Sequence, residues 1–313
     1  VFRITTDQPD ALLLYKLSNV LIFSKDTLDI SNMPVGTGPY QFVSRLEDGG
    51  ISLKRFDEYW GIVPDFAVVE LKNVPTRKER QDLLAGSEVD MMVDVPTDIA
   101  LYFSSYKQLE RFDLEQFPGL EVSFLMFGFH DQSRVQELRK AINLSLDRQE
   151  ISRLGFGFTK PSSQFVSPGI HGYDPAIKIP EIDKEKAEAL VKEGSPLDRV
   201  SLALDLPTGF DAMGKFIKDS LSPIGIDLNV IINRPEELEA KIKNGESEFY
   251  FFGWRSELGD ANDLYSAVLH SKSGTYGQYN GGGYENKELD GLVENISVEI
   301  DPVKRLDDMR KVM

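Results

Sequence analysis

Trp254-Arg255-Ser256-Glu257 sets an aromatic ring, a cation, a hydroxyl and a carboxylate side by side in the chain. Side chains of these types hold a molecule that is partly apolar and partly charged, by stacking, ion pairing and hydrogen bonding. Thr208 is a further candidate for the same task. Patterns for covalent chemistry are absent from the sequence. There is no cysteine, which removes disulfides, thiolate metal sites and cysteine nucleophiles together. His130, His171 and His270 lack the close spacing of a metal-binding pair. No Gly-x-Ser-x-Gly turn and no His-Glu-x-x-His helix occurs. Gly281-Gly282-Gly283 precedes no Lys-Ser/Thr pair that opens a helix, so it reads as a flexible loop and not a phosphate cradle. Gly36 and Gly38 do not join a strand to a helix, and Pro39 removes an N–H that a dinucleotide site would use. The residues point to a binding protein, not an enzyme, with no cofactor and no metal.

The elements that must position these residues are most readable over 200–253. Val200, Leu202, Leu204 and Leu206 alternate, as do Ile226, Leu228, Val230 and Ile232, and Phe249 to Gly253 is a third strand. Between them Met213, Phe216, Ile217 and Leu221 make one helical stripe, and Leu238 and Ile242 another, opened by Pro235 and closed by Gly245. Strand, helix, strand, helix, strand at these lengths predicts a βαβαβ unit with a parallel sheet. Ligands of such sheets bind beyond the carboxyl ends of the strands. The three exits are Pro207-Thr208-Gly209, Asn233-Arg234 and Trp254 to Glu257.

Before this unit, Val122 to Phe129 reads as a strand buried on both faces. Val135, Leu138, Ile142 and Leu146 predict one amphipathic helix over 134–153, and the Gly-, Pro- and Ser-rich stretch 155–182 a long ordered loop. Asp183 is placed to cap a helix that stops at Gly194. Nearer the start, 52–56, 67–71 and 89–93 read as short strands, and 76–85 as a surface helix closed by Gly86.

With 313 residues, 41% hydrophobic and 27% charged, the chain has the balance of a soluble globular protein with room for two domains. Its net charge of −16 repels nucleic acid and anionic headgroups, which excludes polyanion partners. No apolar run is long enough to span a bilayer. The chain begins at Val1 without Met, signal peptide or anchor cysteine, and stops inside a helical segment, 301–313; both ends read as cut.

In order and spacing, these residues resemble the family 5 solute-binding proteins, which include the dipeptide, oligopeptide and nickel receptors of ABC importers. Val35-Gly36-Thr37-Gly38-Pro39-Tyr40 looks like the family's signature turn, and Asp57-Glu58-Tyr59-Trp60-Gly61 follows at the usual distance. Leu138-Arg139-Lys140-Ala141-Ile142-Asn143 with Leu146-Asp147-Arg148 resembles a family helix, and Gly155, Pro161, Pro168, Tyr173 and Asp174 fit the loop beyond it. Gly253-Trp254 with Gly259-Asp260 resembles the site loop, and Tyr279-Asn280 with Asn286 the tail, and the resemblance makes Asp260, Tyr279 and Asn280 further ligand-binding candidates. The resemblance covers essentially the whole chain. It implies a two-lobed α/β fold of the periplasmic-binding-protein type (type II, peptide-binding class), closing on its ligand at a hinge. Residues 1–125 are expected to be a partial first lobe and 126–313 the second, ligand-binding lobe. The implied ligand is a peptide or other small solute, the implied partners are permease subunits, and the implied location is periplasmic or cell-surface, peripheral to the membrane through a lipid anchor outside this sequence. In peptide-binding relatives the third position after the Trp is usually an Asp that grips the ligand's α-ammonium; here it is Glu257. An Arg that some receptors use for the ligand's carboxylate is Phe251 here, and 207–211 holds no Arg, which leaves Arg255 or Arg234 as substitutes. Other readings are the ligand-sensing domain of a transcriptional regulator, or a receptor for a metal chelate or oligosaccharide.

Overall fold

The computed structural model of the protein describes residues 3–23, 29, 31–105, 112–129, 135–154 and 158–313. Thus His130, Gly155 and residue 134 lie outside the described residues. By internal contacts the chain divides into two compact units, Val1–Lys16 with Phe117–Met313, and Leu17–Gln116. A short helix, α1 (Leu13–Ser18), opens the chain. In the smaller unit β1 (Tyr40–Arg45), β2 (Ile51–Arg55) and β3 (Val68–Leu71) form an antiparallel meander. The segments 35–40 and 57–61 meet: the Trp60 indole donates to the Thr37 carbonyl at 3.2 Å, and the Phe56 N–H to that of Pro39 at 2.9 Å. α2 (Arg77–Ala85) starts where the Thr76 hydroxyl accepts from the Glu79 N–H and stops at Gly86, as its sequence signals require. Helix α3 (Thr97–Ser105) was not among the sequence expectations. The strand expected at 89–93 does not form. β3 has only β2 beside it, and Met91 and Val93 are exposed, so an apolar run without a pairing neighbour stays irregular.

The larger unit contains β4 (Glu121–Phe127), α4 (Gln136–Ser145), α5 (Arg148–Leu154), α6 (Lys184–Gly194), β5 (Val200–Pro207), α7 (Asp211–Leu221), β6 (Ile226–Asn233), α8 (Pro235–Asn244) and β7 (Phe249–Arg255). Then come α9 (Asn262–Leu264), which runs into a π-helical turn at Tyr265–Leu269, α10 (Lys287–Val298) and α11 (Pro302–Val312). Its sheet has the order β4-β7-β5-β6. β5 lies parallel to β6 from Val200–Ile226 to Pro207–Asn233, and parallel to β7 at Leu204–Phe249 and Asp205–Tyr250. The expected parallel βαβαβ unit is therefore present. Phe249 and Phe251 join the core that contains Ile217 of α7, while Tyr250 and Phe252 pack with Leu238 and Ile242 of α8. The helices so cover opposite faces, which is why the successive residues Leu204, Asp205 and Leu206 are all buried. Each such side chain contributes about 1.5–3 kcal/mol by burial. Gly214 of α7 lets the helix approach this sheet: a Cβ there would stand 2.6 Å from Val230 Cγ1.

Two expectations in this unit are corrected. Val122 to Phe129 is not a central strand: β4 ends at Phe127, lies at the sheet edge antiparallel to β7, and only Val122 in it is fully buried. The boundary expected at 125/126 falls inside this strand. The single helix expected over 134–153 is two. The Ser145 hydroxyl donates back to the Ala141 carbonyl at 2.8 Å, Leu146 is extended, and the Asp147 carboxylate accepts from the Gln149 and Glu150 amides to start α5. A short polar side chain that caps a new helix here outcompetes continuation of the old one. Asp183 caps α6 as expected, accepting from the Lys186 N–H at 2.9 Å. The described part of 155–182 is a loop, ordered by Gln164, whose side chain bonds both the N–H and the carbonyl of Asp174.

Candidate functional site

β7 outlasts its parallel neighbour. β4 pairs with it along its full length, but β5 does so only as far as Tyr250, so the β5 side of Phe251–Arg255 has no strand partner among the described residues. An open depression of about 750 Å³ lies there, walled by Leu238 and Ile242 of α8, by β7, and by the loops after it. This is the strand-exit crevice that the parallel topology predicts.

The loop after β7 is tied down from within. Asp263 accepts from the Trp254 indole N–H at 3.2 Å and from the Ser256 hydroxyl at 2.9 Å. Burial raises the Asp263 pKa, against the opposing effect of these hydrogen bonds and of the Leu264 and Leu258 amides. His171 clamps the loop through its backbone, donating to the Gly259 carbonyl and accepting from the Ala261 N–H. Below it the Asp260 carboxylate is fully buried and faces the Arg305 guanidinium in two parallel bonds of 2.7 and 2.9 Å. Arg305 also donates from Nε to the Ile296 carbonyl, so α11 and α10 are both pinned to this loop.

The sequence candidates separate accordingly. Trp254, Arg255, Glu257 and Tyr279 line the depression, with Tyr279 edge-on to Trp254 at a ring-centroid distance of 5.5 Å. Arg255 and Glu257 are exposed and neither forms an ion pair among the described residues. Thr208 is exposed at the β5 exit but does not line the depression, where Pro207 stands instead. Two candidates are engaged within the protein. Asp260 is consumed by Arg305 and by the Asn262 N–H, and Asn280 is buried with its side chain bonded to His270, Tyr284 and Tyr284 again through its carbonyl oxygen. Neither lines the depression, and both are buried with their side chains bonded within the protein. Arg234 pairs with Glu237 at the start of α8. Asp263 and Lys272, which also line the depression, were missed; no local pattern marks either one.

The triple glycine meets neighbouring backbone at its first two residues. A Cβ on Gly282 would lie 2.3 Å from the Phe127 carbonyl oxygen, and one on Gly281 2.5 Å from that of Ile242, so backbone packs directly on backbone here. His270 is buried, stacked on Tyr276 at 4.3 Å, and no cluster able to hold a metal ion exists among the described residues.

A mixed sheet with a parallel βαβαβ unit, covered by helices, with a solute-sized depression at its strand exits and side chains suited to gripping, defines a ligand-binding protein. The model of the bacterial extracellular solute-binding proteins, family 5 (middle region), matches residues 1–276, and the chain belongs to that family. Its members are binding proteins, not enzymes, and the fold is that of the type II, peptide-binding class of periplasmic binding proteins. The dipeptide-binding protein of Escherichia coli (strain K12) is 25% identical over 254 residues, covering 78% of this chain and 46% of that protein. The nickel-binding protein NikA of Staphylococcus aureus is 24% identical over 308 residues, covering 94% and 60%. The structure of the periplasmic binding protein DppA from Helicobacter pylori, in complex with the peptide STSA, superposes with a TM-score of 0.68 at 24% identity, covering 98% of this chain and 62% of that one. The chain thus spans about half the length of the curated relatives it matches.

Proposed function

We propose that this chain is the solute-gripping part of a receptor that works outside the cytoplasmic membrane and delivers a short peptide to the permease of an ABC importer. The observation that carries this reading is the unpaired flank of β7 beside the Trp254–Tyr279 wall. An extended peptide laid along that flank finds main-chain groups to pair with, a ring surface for an apolar side chain, and charges for its termini. Glu257 takes the ligand's α-ammonium, in the place where peptide-binding relatives carry Asp. No described helix is long and apolar enough to cross a membrane, in keeping with a receptor peripheral to it.

Calorimetric titration with trialanine tests the proposal. Wild type binds, and Glu257→Gln binds at least tenfold more weakly, about 1.4 kcal/mol, because the ligand's cation loses its partner. Glu257→Asp loses less. Equal affinity of wild type and Glu257→Gln removes Glu257 from this role, and failure of wild type to bind any short peptide removes the peptide reading.

A further inference from the structure

The charged side chains that line the depression balance: Lys243, Arg255 and Lys272 stand against Glu239, Glu257 and Asp263. Net charge therefore selects no class of solute, and selectivity falls to the apolar part of the wall. Three aromatic rings meet there. Tyr279 stands edge-on to Trp254 at 5.5 Å between centroids, with the ring planes at 68°, and Phe252 lies 6.4 Å from Tyr279 at 48°. Two of the rings are fixed from within the protein. Asp263 holds the Trp254 indole N–H at 3.2 Å. The Tyr279 backbone donates to the Ala267 carbonyl at 2.8 Å and accepts from the Gly281 N–H at 2.9 Å. None of the three rings is fully covered: Tyr279 is 46% exposed, and Trp254 and Phe252 are half-buried. A single exposed ring is ordinary on a protein surface, whereas neighbouring rings that line one depression leave apolar surface open where a solute sits.

We infer that the solute is a peptide with an aromatic side chain, and that Phe252, Trp254 and Tyr279 select it. This rests on the peptide reading above. A ligand ring at this wall meets rings already tilted to one another, so it lies offset on one and edge-on to another. Aromatic pairs prefer these arrangements, at about 4.5–7 Å between centroids. An aliphatic side chain of similar size gains the burial without the pairings. Because Trp254 and Tyr279 are held before the ligand arrives, little is spent on ordering them. Side chains of an extended peptide alternate between two faces. With its ammonium held at Glu257 the peptide cannot slide, so the wall receives either the middle side chain of a tripeptide or the outer ones.

The test is calorimetry of the 313-residue chain with trialanine and with its three single-Phe and three single-Leu variants. The tightest Phe peptide is expected to bind at least about tenfold more tightly than trialanine. It should also bind at least about threefold more tightly than the peptide with Leu at the same position. Tyr279→Leu removes the most exposed ring, keeps the backbone bonds, and should abolish the preference for Phe over Leu. Fluorescence places the ligand ring: Trp254 is one of two tryptophans, so in Trp60→Phe it reports alone, and the tightest Phe peptide should shift its emission more than trialanine does. Leu bound as tightly as Phe by wild type overturns the inference, as does a Phe preference that survives in Tyr279→Leu. Equal gains from Phe at all three positions, or the same Trp254 emission in both complexes, overturn it too. In each of these cases bound trialanine leaves the peptide reading standing. Failure of all seven peptides to bind overturns both.

Discussion

Replacing Arg305 with Met should unfold the larger unit more readily than any surface change, and the size of the effect follows from its surroundings. The guanidinium and the Asp260 carboxylate are 6% and 1% exposed, joined by two short bonds, so neither charge has water to fall back on. Met keeps much of the apolar stem and removes only the cation. The Asp260 carboxylate then keeps the Asn262 N–H as its remaining donor among the described bonds. Breaking a buried pair from one side costs about 3–5 kcal/mol, since the surviving charge stays desolvated. In a domain of about 150–250 residues each kcal/mol lowers Tm by about 2–4 °C, so a fall of roughly 6–20 °C is expected. Circular dichroism melts of wild type, Arg305→Met and Arg305→Met/Asp260→Asn decide the matter. The second substitution removes the stranded charge and should return at least about 1 kcal/mol, a coupling that loss of packing alone would not give. A single variant within about 1 kcal/mol of wild type, or a double variant no better than the single, refutes the account.

Three further outcomes follow from other parts of the fold. Because burial raises the Asp263 pKa above 3.8, the native state holds that proton more tightly than the unfolded chain. The stabilisation is full below the unfolded value and lost as pH rises through the folded one, so Asp263→Asn should gain on wild type over that rise in urea titrations at stepped pH; a constant difference would refute it. Gly282→Ala must push its Cβ off the Phe127 carbonyl and should cost about 1–3 kcal/mol by chemical denaturation, whereas Gly209→Ala, with nothing within 4 Å of its Cβ, pays only for its positive φ. Leu204→Ala, fully buried in the central strand, should cost about 2–5 kcal/mol on the same assay.

The legible part of this protein is the part whose rules are local. β5, α7, β6, α8 and β7 could be read because a strand with helices on both faces must be apolar on alternate or successive positions, and because Pro235 and Gly245 mark helix ends wherever they occur. The break between α4 and α5 was also written locally, in Ser145 and Asp147, but the apolar spacing of Leu138, Ile142 and Leu146 pointed the other way. Edge position was not legible: an apolar run such as Val122–Phe127 states what it packs against, not how many strands flank it. Asp260 and Asn280 looked like ligand contacts for the same reason. Their partners, Arg305 and His270, lie 45 and 10 residues away in sequence, and nothing near either residue announces them.

The three carboxylates of the site loop show why one segment can be both scaffold and contact. Asp260 is locked to a buried guanidinium and cannot turn to a ligand without stranding that cation, at the several kcal/mol cost that holds it in place. Asp263 holds neutral donors, the Trp254 indole and the Ser256 hydroxyl, and turning it outward would release the ring that walls the depression. Glu257 has neither obligation: it is exposed, lines the depression, and forms no ion pair among the described residues. In the peptide reading proposed above, an ammonium that meets Glu257 would break no described hydrogen bond or ion pair of its side chain. The division of labour is set by what each carboxylate would have to give up, and only Glu257 gives up nothing structural.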